Sequence, residues 1–133
     1  MKIVTAAVLI HNGKILIAKR LNSDSLAGKW EFPGGSVEPS ESPEECLKRE
    51  MKEEFNIAIN IESYFGVSSF EYSHGVIKLI AFKATWTDGD LIMRSHQDYV
   101  WARPRDLNNY DFAPADIPFV NKIISEGVYN DVK

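Results

Sequence analysis

Cysteine is nearly absent: Cys46 is the only one in 133 residues. No disulfide within the chain and no multi-cysteine zinc site can form, and a reducing compartment, the cytoplasm, is the expected setting. Basic runs are missing as well. With 15 basic against 19 acidic side chains the formal charge is -4, and nothing in the chain could track a polyanionic backbone over several phosphates, so stable binding of duplex nucleic acid is not expected. Long hydrophobic runs are also lacking. The apolar stretch Ile3 to Ile10 is far shorter than a membrane span and carries neither a charged leader nor a small-residue cleavage pattern, so neither membrane insertion nor export is expected. No repeat, linker or low-complexity tract divides the chain, and its length suits one core; the expectation is a single domain, 1–133, and on size a monomer. What is present is 44% hydrophobic and 26% charged residues, enough apolar material to offset the entropy of ordering the chain.

Ile3 to Ile10 and Lys14 to Lys19 are short apolar stretches joined by His11, Asn12 and Gly13, which suits a hairpin. A polar loop follows to Lys29, then a short extended stretch Trp30 to Phe32, and then Pro33, Gly34 and Gly35, where a sharply shaped loop is expected. A helix is predicted from Ser42 as N-cap, with Pro43 first and Glu45 completing a capping box, to about Phe55. Leu47, Met51 and Phe55 form its apolar stripe, and Asn56 suits a left-handed cap. Ile57 to Ile61, Tyr64 to Tyr72, Val76 to Trp86 and Asp98 to Ala102 read as further strands. A helical turn at Pro104 to Asn108 and a last helix with Ile117, Val120, Ile123 and Ile124 on one face complete the pattern. Together these elements predict an α/β (α+β) sandwich, a mixed central β-sheet flanked by helices.

The chemistry concentrates in one helix. At about 100° per residue, Glu50, Glu53 and Glu54 fall within one arc, and Glu54 lies at the edge of the apolar stripe, where ionisation is harder. Arg49 brings one positive charge to three acids. Hard, oxygen-binding cations such as Mg2+ or Mn2+ would supply the rest; an acidic solvated face is the plainer alternative for the helix taken alone. The two glycines could bring a backbone carbonyl to the same cation or let a phosphate approach backbone amides. Cys46 reads as a core thiol, and His11 and His74 as turn residues outside any spaced metal motif.

Residues Gly35 to Ile57, GSVEPSESPEECLKREMKEEFNI, resemble the signature segment of the Nudix hydrolases: Gly35, Glu41 six residues on, the pairs Arg49-Glu50 and Glu53-Glu54, then apolar Ile57. Asn56 stands where that family usually has glycine, and Ser36 and Ser40 where lysine and glycine are frequent among the MutT-like triphosphate pyrophosphohydrolases. Lys19-Arg20, Trp30 to Gly35, Trp101 and Phe112 to Pro118 extend the resemblance over nearly the whole chain, towards the CTP pyrophosphohydrolase-like group. The resemblance implies the Nudix fold, Mg2+ or Mn2+ held by the Gly34 carbonyl and by Glu50, Glu53 and Glu54, and Glu41 with Arg49 supporting the catalytic geometry. It further implies that Arg20 and Gly35 meet the phosphates, and that the Phe112 to Pro118 segment delivers an aromatic ring, Phe112, and a base reader, Asp116. Helix capping is the competing role for Asp116. That group carries an acidic residue where Ser95 stands, beside a histidine like His96.

The implied reaction is hydrolysis of a nucleoside triphosphate to monophosphate and pyrophosphate, with CTP, dCTP or modified (oxidised or methylated) nucleotides as substrates. A sugar nucleotide, dinucleoside polyphosphate or capped RNA substrate, or a non-catalytic nucleotide-binding or cap-binding module, are the alternatives.

Overall fold

The computed structural model describes residues 1–23 and 25–127. Its elements are the strands β1 (Lys2–His11), β2 (Lys14–Lys19), β3 (Trp30–Glu31) and β4 (Gly34–Ser36), helix α1 (Pro43–Phe55), strands β5 (Ala58–Tyr72), β6 (Gly75–Asp88) and β7 (Asp98–Ala102), and helix α2 (Ile117–Glu126). Two short 3-10 turns, Pro104–Asn109 and Pro114–Asp116, precede α2.

The strands form one mixed sheet in the order β3-β2-β1-β6-β5, with β4 added to β1 and β7 to β2. β1 runs parallel to β6, and the other pairings are antiparallel. Central β1 is buried from Thr5 to Leu9, the continuous apolar run expected of a strand covered on both faces. Ala6 and Val8 join Ile15, Ile17, Phe119, Val120 and Ile123 on the α2 face. Ala7 and Leu9 join Leu16, Ala18, Leu47, Met51 and Phe55 on the α1 face. The predicted sandwich, a mixed sheet between helical layers, is the observed architecture.

One topological detail positions everything that follows. Thr5 pairs with Ile80 on one edge and Gly35 on the other, while Ala18 pairs with Tyr99 on one edge and Glu31 on the other. β1 and β2 therefore touch only near their hairpin, at Ile10–Ile15 and His11–Lys14, and then part. Residues 30 to 36 fill the fork.

The helix α1 forms as its sequence dictates. Ser42 accepts from the Glu45 N–H, the Glu45 side chain accepts from the Ser42 N–H, and Asn56 closes the helix in the left-handed region at φ 62°. Three expectations are corrected. Gly34 and Gly35 lie in a strand instead of a loop, since the open edge of β1 pairs with them. The two strands expected at Ile57 to Ile61 and Tyr64 to Tyr72 are one, Ala58–Tyr72, with Ile57 just outside it. No turn-forming residue interrupts them, and the irregularities at Ile61/Ser63 and Tyr64/Gly66 leave Glu62 and Phe65 as bulged residues; the second bulge turns Phe65 into the α2-face core. In α2 the buried stripe is Phe119, Val120 and Ile123, with Ile117 and Ile124 exposed, because the helix meets the sheet through the larger Phe119 ring.

Candidate active site

A cleft of about 550 Å³ opens at the fork. Strand alternation decides what enters it. Glu31, opposite Ala18, faces the α1 side, whereas Trp30 and Phe32 face the α2 side. The cleft is lined on the α1 side by Gly34, Gly35, Glu50 and Glu54 and on the other by Asp116, Ala115, Tyr72, His74 and Leu79, and Glu31, bonded to Arg20, stands between these two ends, its charge acting on Glu54 at one and Asp116 at the other.

At the acidic end Arg49 is the organiser. Its Nε and Nη2 donate to the two oxygens of Glu41 at 2.7 and 3.0 Å, its Nη1 donates to Glu50 at 3.0 Å and Glu53 at 3.1 Å, and Nη2 also donates to the Ser36 carbonyl at 3.2 Å. The bidentate bond from Arg49 holds the Glu41 carboxyl down at about 2, and the same bond drives the guanidinium upward. Glu50 and Glu54 have no such match. Burial pushes the Glu50 carboxyl up against the pull of Arg49. Burial, then Glu50, then Glu31 push Glu54 up to about 8.

Gly34 and Gly35 are required here by proximity. A Cβ on Gly34 would stand 1.8 Å from the Thr5 carbonyl oxygen, and one on Gly35 would stand 2.2 Å from the Glu50 carboxyl carbon. The strand thus lies directly against β1 and against the Glu50 side chain. The Thr5 hydroxyl donates to the Gly35 carbonyl at 3.2 Å, and the buried Cys46 thiol donates to the Ser36 carbonyl at 3.3 Å.

Of the residues expected from sequence, Glu50, Glu54, Gly34, Gly35, Arg20 and Asp116 line one cleft. Glu41 stands behind them through Arg49, and the Glu53 side chain is 60% exposed, tethered to Arg49. Phe112 is off the cleft wall: it is buried and stacks on Phe32 at 5.3 Å, and Phe32 is the ring that reaches the lining. Arg20 donates to Glu31 at 2.8 Å and to the Ser25 carbonyl at 3.0 Å. Asp116 does not cap α2. Its carboxyl accepts from the Phe32 N–H at 3.0 Å, and burial, then the charge of Glu31, raise it well above the ordinary range. Glu31, Tyr72 and His74 were missed. The fork brings Glu31 to the cleft, and the end of the β5–β6 hairpin brings Tyr72 and His74, the Tyr72 hydroxyl accepting from the Ala115 N–H at 2.9 Å; a charged residue between Trp30 and Phe32 was the one available signal for Glu31.

The donor set fits a hard dication. Two raised carboxyls facing one cleft are a cost that a bound cation would remove. Among the described residues no three His, Cys, Asp or Glu side chains form a ready cage, so the Gly34 carbonyl and the phosphates of a ligand would have to complete the coordination, as is usual for Mg2+.

The raised Glu54 has a measurable consequence. Its folded value of about 8 exceeds the reference of 4.5, so between those limits the folded state holds more protons than the unfolded one, and stability falls as pH rises. With roughly 1 kcal/mol surviving solvent screening, the melting temperature of metal-free protein should drop by about 4 °C from pH 5 to pH 8.5. Saturating Mn2+ should recover most of the drop and Glu54→Gln should flatten it; calorimetry showing the same slope in Glu54→Gln would assign the effect elsewhere. Ser95, exposed in the cleft lining next to Arg94, whose N–H donates to the Glu54 carbonyl, leads to a second expectation: Ser95→Glu adds a carboxylate to the lining and should tighten Mn2+ or Mg2+ binding in a titration. Unchanged affinity would remove this position from the metal's surroundings.

Comparison with known proteins agrees with this geometry. The sequence pattern of the NUDIX domain matches residues 5–122. The chain is 38% identical over 122 residues to a CTP pyrophosphohydrolase of Escherichia coli K12, covering 92% of this chain and 90% of that protein. It is 34% identical over 127 residues to an 8-oxo-dGTP diphosphatase of Haemophilus influenzae, covering 93% of each. The solution structure of the E. coli ORF135 protein superimposes with a TM-score of 0.83 at 36% identity, covering 100% of this chain and 95% of that one. With the signature residues gathered on α1 and β4 around one cleft, the chain belongs to the Nudix hydrolases.

Proposed function

We propose that this Nudix-type nucleoside triphosphate pyrophosphohydrolase acts on CTP, dCTP or modified (oxidised or methylated) nucleotides, in the cytoplasm. The carrying observation is the polarity of the cleft, with Glu50 and Glu54 at one end and buried Asp116 at the other. A triphosphate laid along it would present its phosphates to the acidic end through a dication and its base to Asp116.

In this reading Gly34, through its carbonyl, and Glu50, Glu53 and Glu54 hold Mg2+ or Mn2+, which when bound would offset phosphate charge and acidify a water. The chain's own part is positioning. Arg49 fixes Glu41, Glu50 and Glu53 in one array, and Gly35 leaves room for the Glu50 carboxyl beside β4. Arg20 lies on the wall between the two ends, within reach of a phosphate chain running along the cleft. One water is consumed at the β phosphorus, and nucleoside monophosphate and pyrophosphate leave.

At the base end the raised Asp116 matters. An ionised carboxylate only accepts hydrogen bonds, and so favours the exocyclic amino group of cytosine or adenine; the neutral acid, populated further up the pH scale here, can also donate. That dual capacity suits a pocket able to take more than one edge, and the relatives named for CTP and for 8-oxo-dGTP make oxidised purine triphosphates the second reading. The test is pyrophosphate release from cytosine, uracil, adenine, guanine and oxidised-guanine triphosphates at saturating metal. In the wild type, selectivity for cytosine over uracil should rise with pH as Asp116 ionises. Asp116→Asn, with a permanent donor, should abolish that rise and shift the ratio by about 1–3 kcal/mol. Identical ratios in both proteins would exclude Asp116 as base reader, and no pyrophosphate from any triphosphate would exclude the reading as a whole.

A further inference from the structure

The segment between β6 and β7 is tied to the machinery at several points. The Ile92 N–H donates to the Phe55 carbonyl at 2.9 Å, the Arg94 N–H to the Glu54 carbonyl at 3.0 Å and the Gln97 N–H to the Lys19 carbonyl at 3.0 Å. The segment is thereby sewn to the end of α1 and to β2. Its one buried polar side chain is His96, with a side-chain exposure of 4%. The imidazole stacks on Phe55 with ring centres 5.3 Å apart and planes at 22°. Its Nε2 is 2.8 Å from Glu31 Oε2, and its Nδ1 is buried without a partner among the described residues.

These contacts fix the tautomer. A carboxylate oxygen only accepts, so Nε2 must carry the hydrogen and donate to Glu31. Nδ1 is then left with a lone pair, which is a smaller penalty than a buried unpaired N–H. The other Glu31 oxygen accepts from Arg20 Nη1 at 2.8 Å. Both oxygens are held, one from each side, although Glu31 stands between two acids it repels: its charge raises Glu54 on one side and Asp116 on the other.

We infer that His96 is a positioning residue for substrate binding: by donating Nε2–H to Glu31 Oε2 against the Phe55 ring, it fixes the Glu31 carboxylate, and through it the Arg20 guanidinium, on the wall between the two ends of the cleft. The inference rests on the proposal that a triphosphate occupies this cleft. Without the donor, Glu31 is free to swing away from Glu54 and Asp116 and take Arg20 with it, and the cleft is no longer preorganised. Glu50 and Glu53 stay under the control of Arg49, so the cost falls mainly on binding.

Three measurements decide it. His96→Leu keeps the volume against Phe55 and removes the donor; KM for the best triphosphate should rise roughly tenfold, the scale of one hydrogen bond to a charged group, with kcat within about threefold. His96→Gln, whose amide nitrogen can reach the place of Nε2, should return KM to near the wild-type value. A purely packing role would instead leave KM unchanged in both variants, or raise it equally in both, and either result overturns the proposal. The third measurement needs no activity: 15N shifts of the wild-type His96 ring should report the Nε2–H tautomer, and hydrogen on Nδ1 alone would overturn the geometry. A wild type inactive on every triphosphate would reject the proposed function while leaving the tautomer experiment to judge the Glu31 contact.

Discussion

Glu50→Gln should reduce turnover by a factor on the order of a thousand, the scale of removing a preorganised charge from an enclosed site, while the protein stays folded. The substitution preserves size, and the glutamine oxygen can still accept from Arg49, whose Nη1 lies 3.0 Å from Glu50 in the native protein. What disappears is a negative charge that is half of a repulsive pair, since Glu50 is among the causes that raise Glu54. The metal-free variant should therefore melt no lower than the wild type, and higher above pH 7, where the repulsion is felt. Activity falling while stability holds or rises separates a site charge from a structural one. Wild-type turnover in the folded variant would reject the assignment of Glu50, and a large drop in melting temperature would show that its role is to balance Arg49.

The two glycines of β4 should separate in the same way, with effects nearly as large. In Gly35→Ala the new methyl meets the Glu50 carboxyl, 2.2 Å away, which is the far end of a flexible side chain and can move. The protein should fold with a small loss of stability but lose roughly a hundredfold in turnover, because the displaced carboxyl no longer occupies its working position. In Gly34→Ala the methyl meets the Thr5 carbonyl at 1.8 Å and the Ala6 Cα at 2.9 Å. Backbone of a central strand cannot yield so readily, and the expected result is a loss of about 1–3 kcal/mol or more in denaturant unfolding, together with activity. Equal stability and equal activity in the two variants would contradict the placement of β4 between β1 and α1.

The signature helix was legible because its determinants are local. The capping box of Ser42 and Glu45, the stripe Leu47-Met51-Phe55 and the left-handed Asn56 are set by neighbours in sequence, and the same 3.6-residue period places Glu50 and Glu54 on one side at the rim of that stripe. Part of the raised Glu54 follows from this, since Glu50 one turn away resists its ionisation, but the first cause, burial, and the charge of Glu31 come from tertiary packing. The strands of the sheet were equally readable from their branched and aromatic runs, except where a join depends on a distant partner. Glu62 and Ser63 look like a break in isolation, but pairing with β6 carries the strand through as a bulge.

Phe112 and Asp116 show where local pattern stops. They are four residues apart in one segment, and the sequence assigned both to the ligand; tertiary packing stacks Phe112 behind Phe32 and leaves Asp116 on the lining, accepting from the Phe32 amide. Glu31, Arg20 and His96 show it again, since they come from three segments and meet only because β1 and β2 diverge and residues 30 to 36 fill the gap. The layers, the signature helix and the concentration of acid upon it can be read from the order of residues alone, because helical and strand periodicities are properties of the local chain. That the glycines form a strand pressed against Glu50, that Phe32 replaces Phe112 at the wall, and that Glu31 is held between Arg20 and His96 all follow from packing, because each depends on pairing between segments far apart in sequence, and a shift of one residue in the register of residues 30 to 32 would turn Glu31 and Phe32 to the opposite faces.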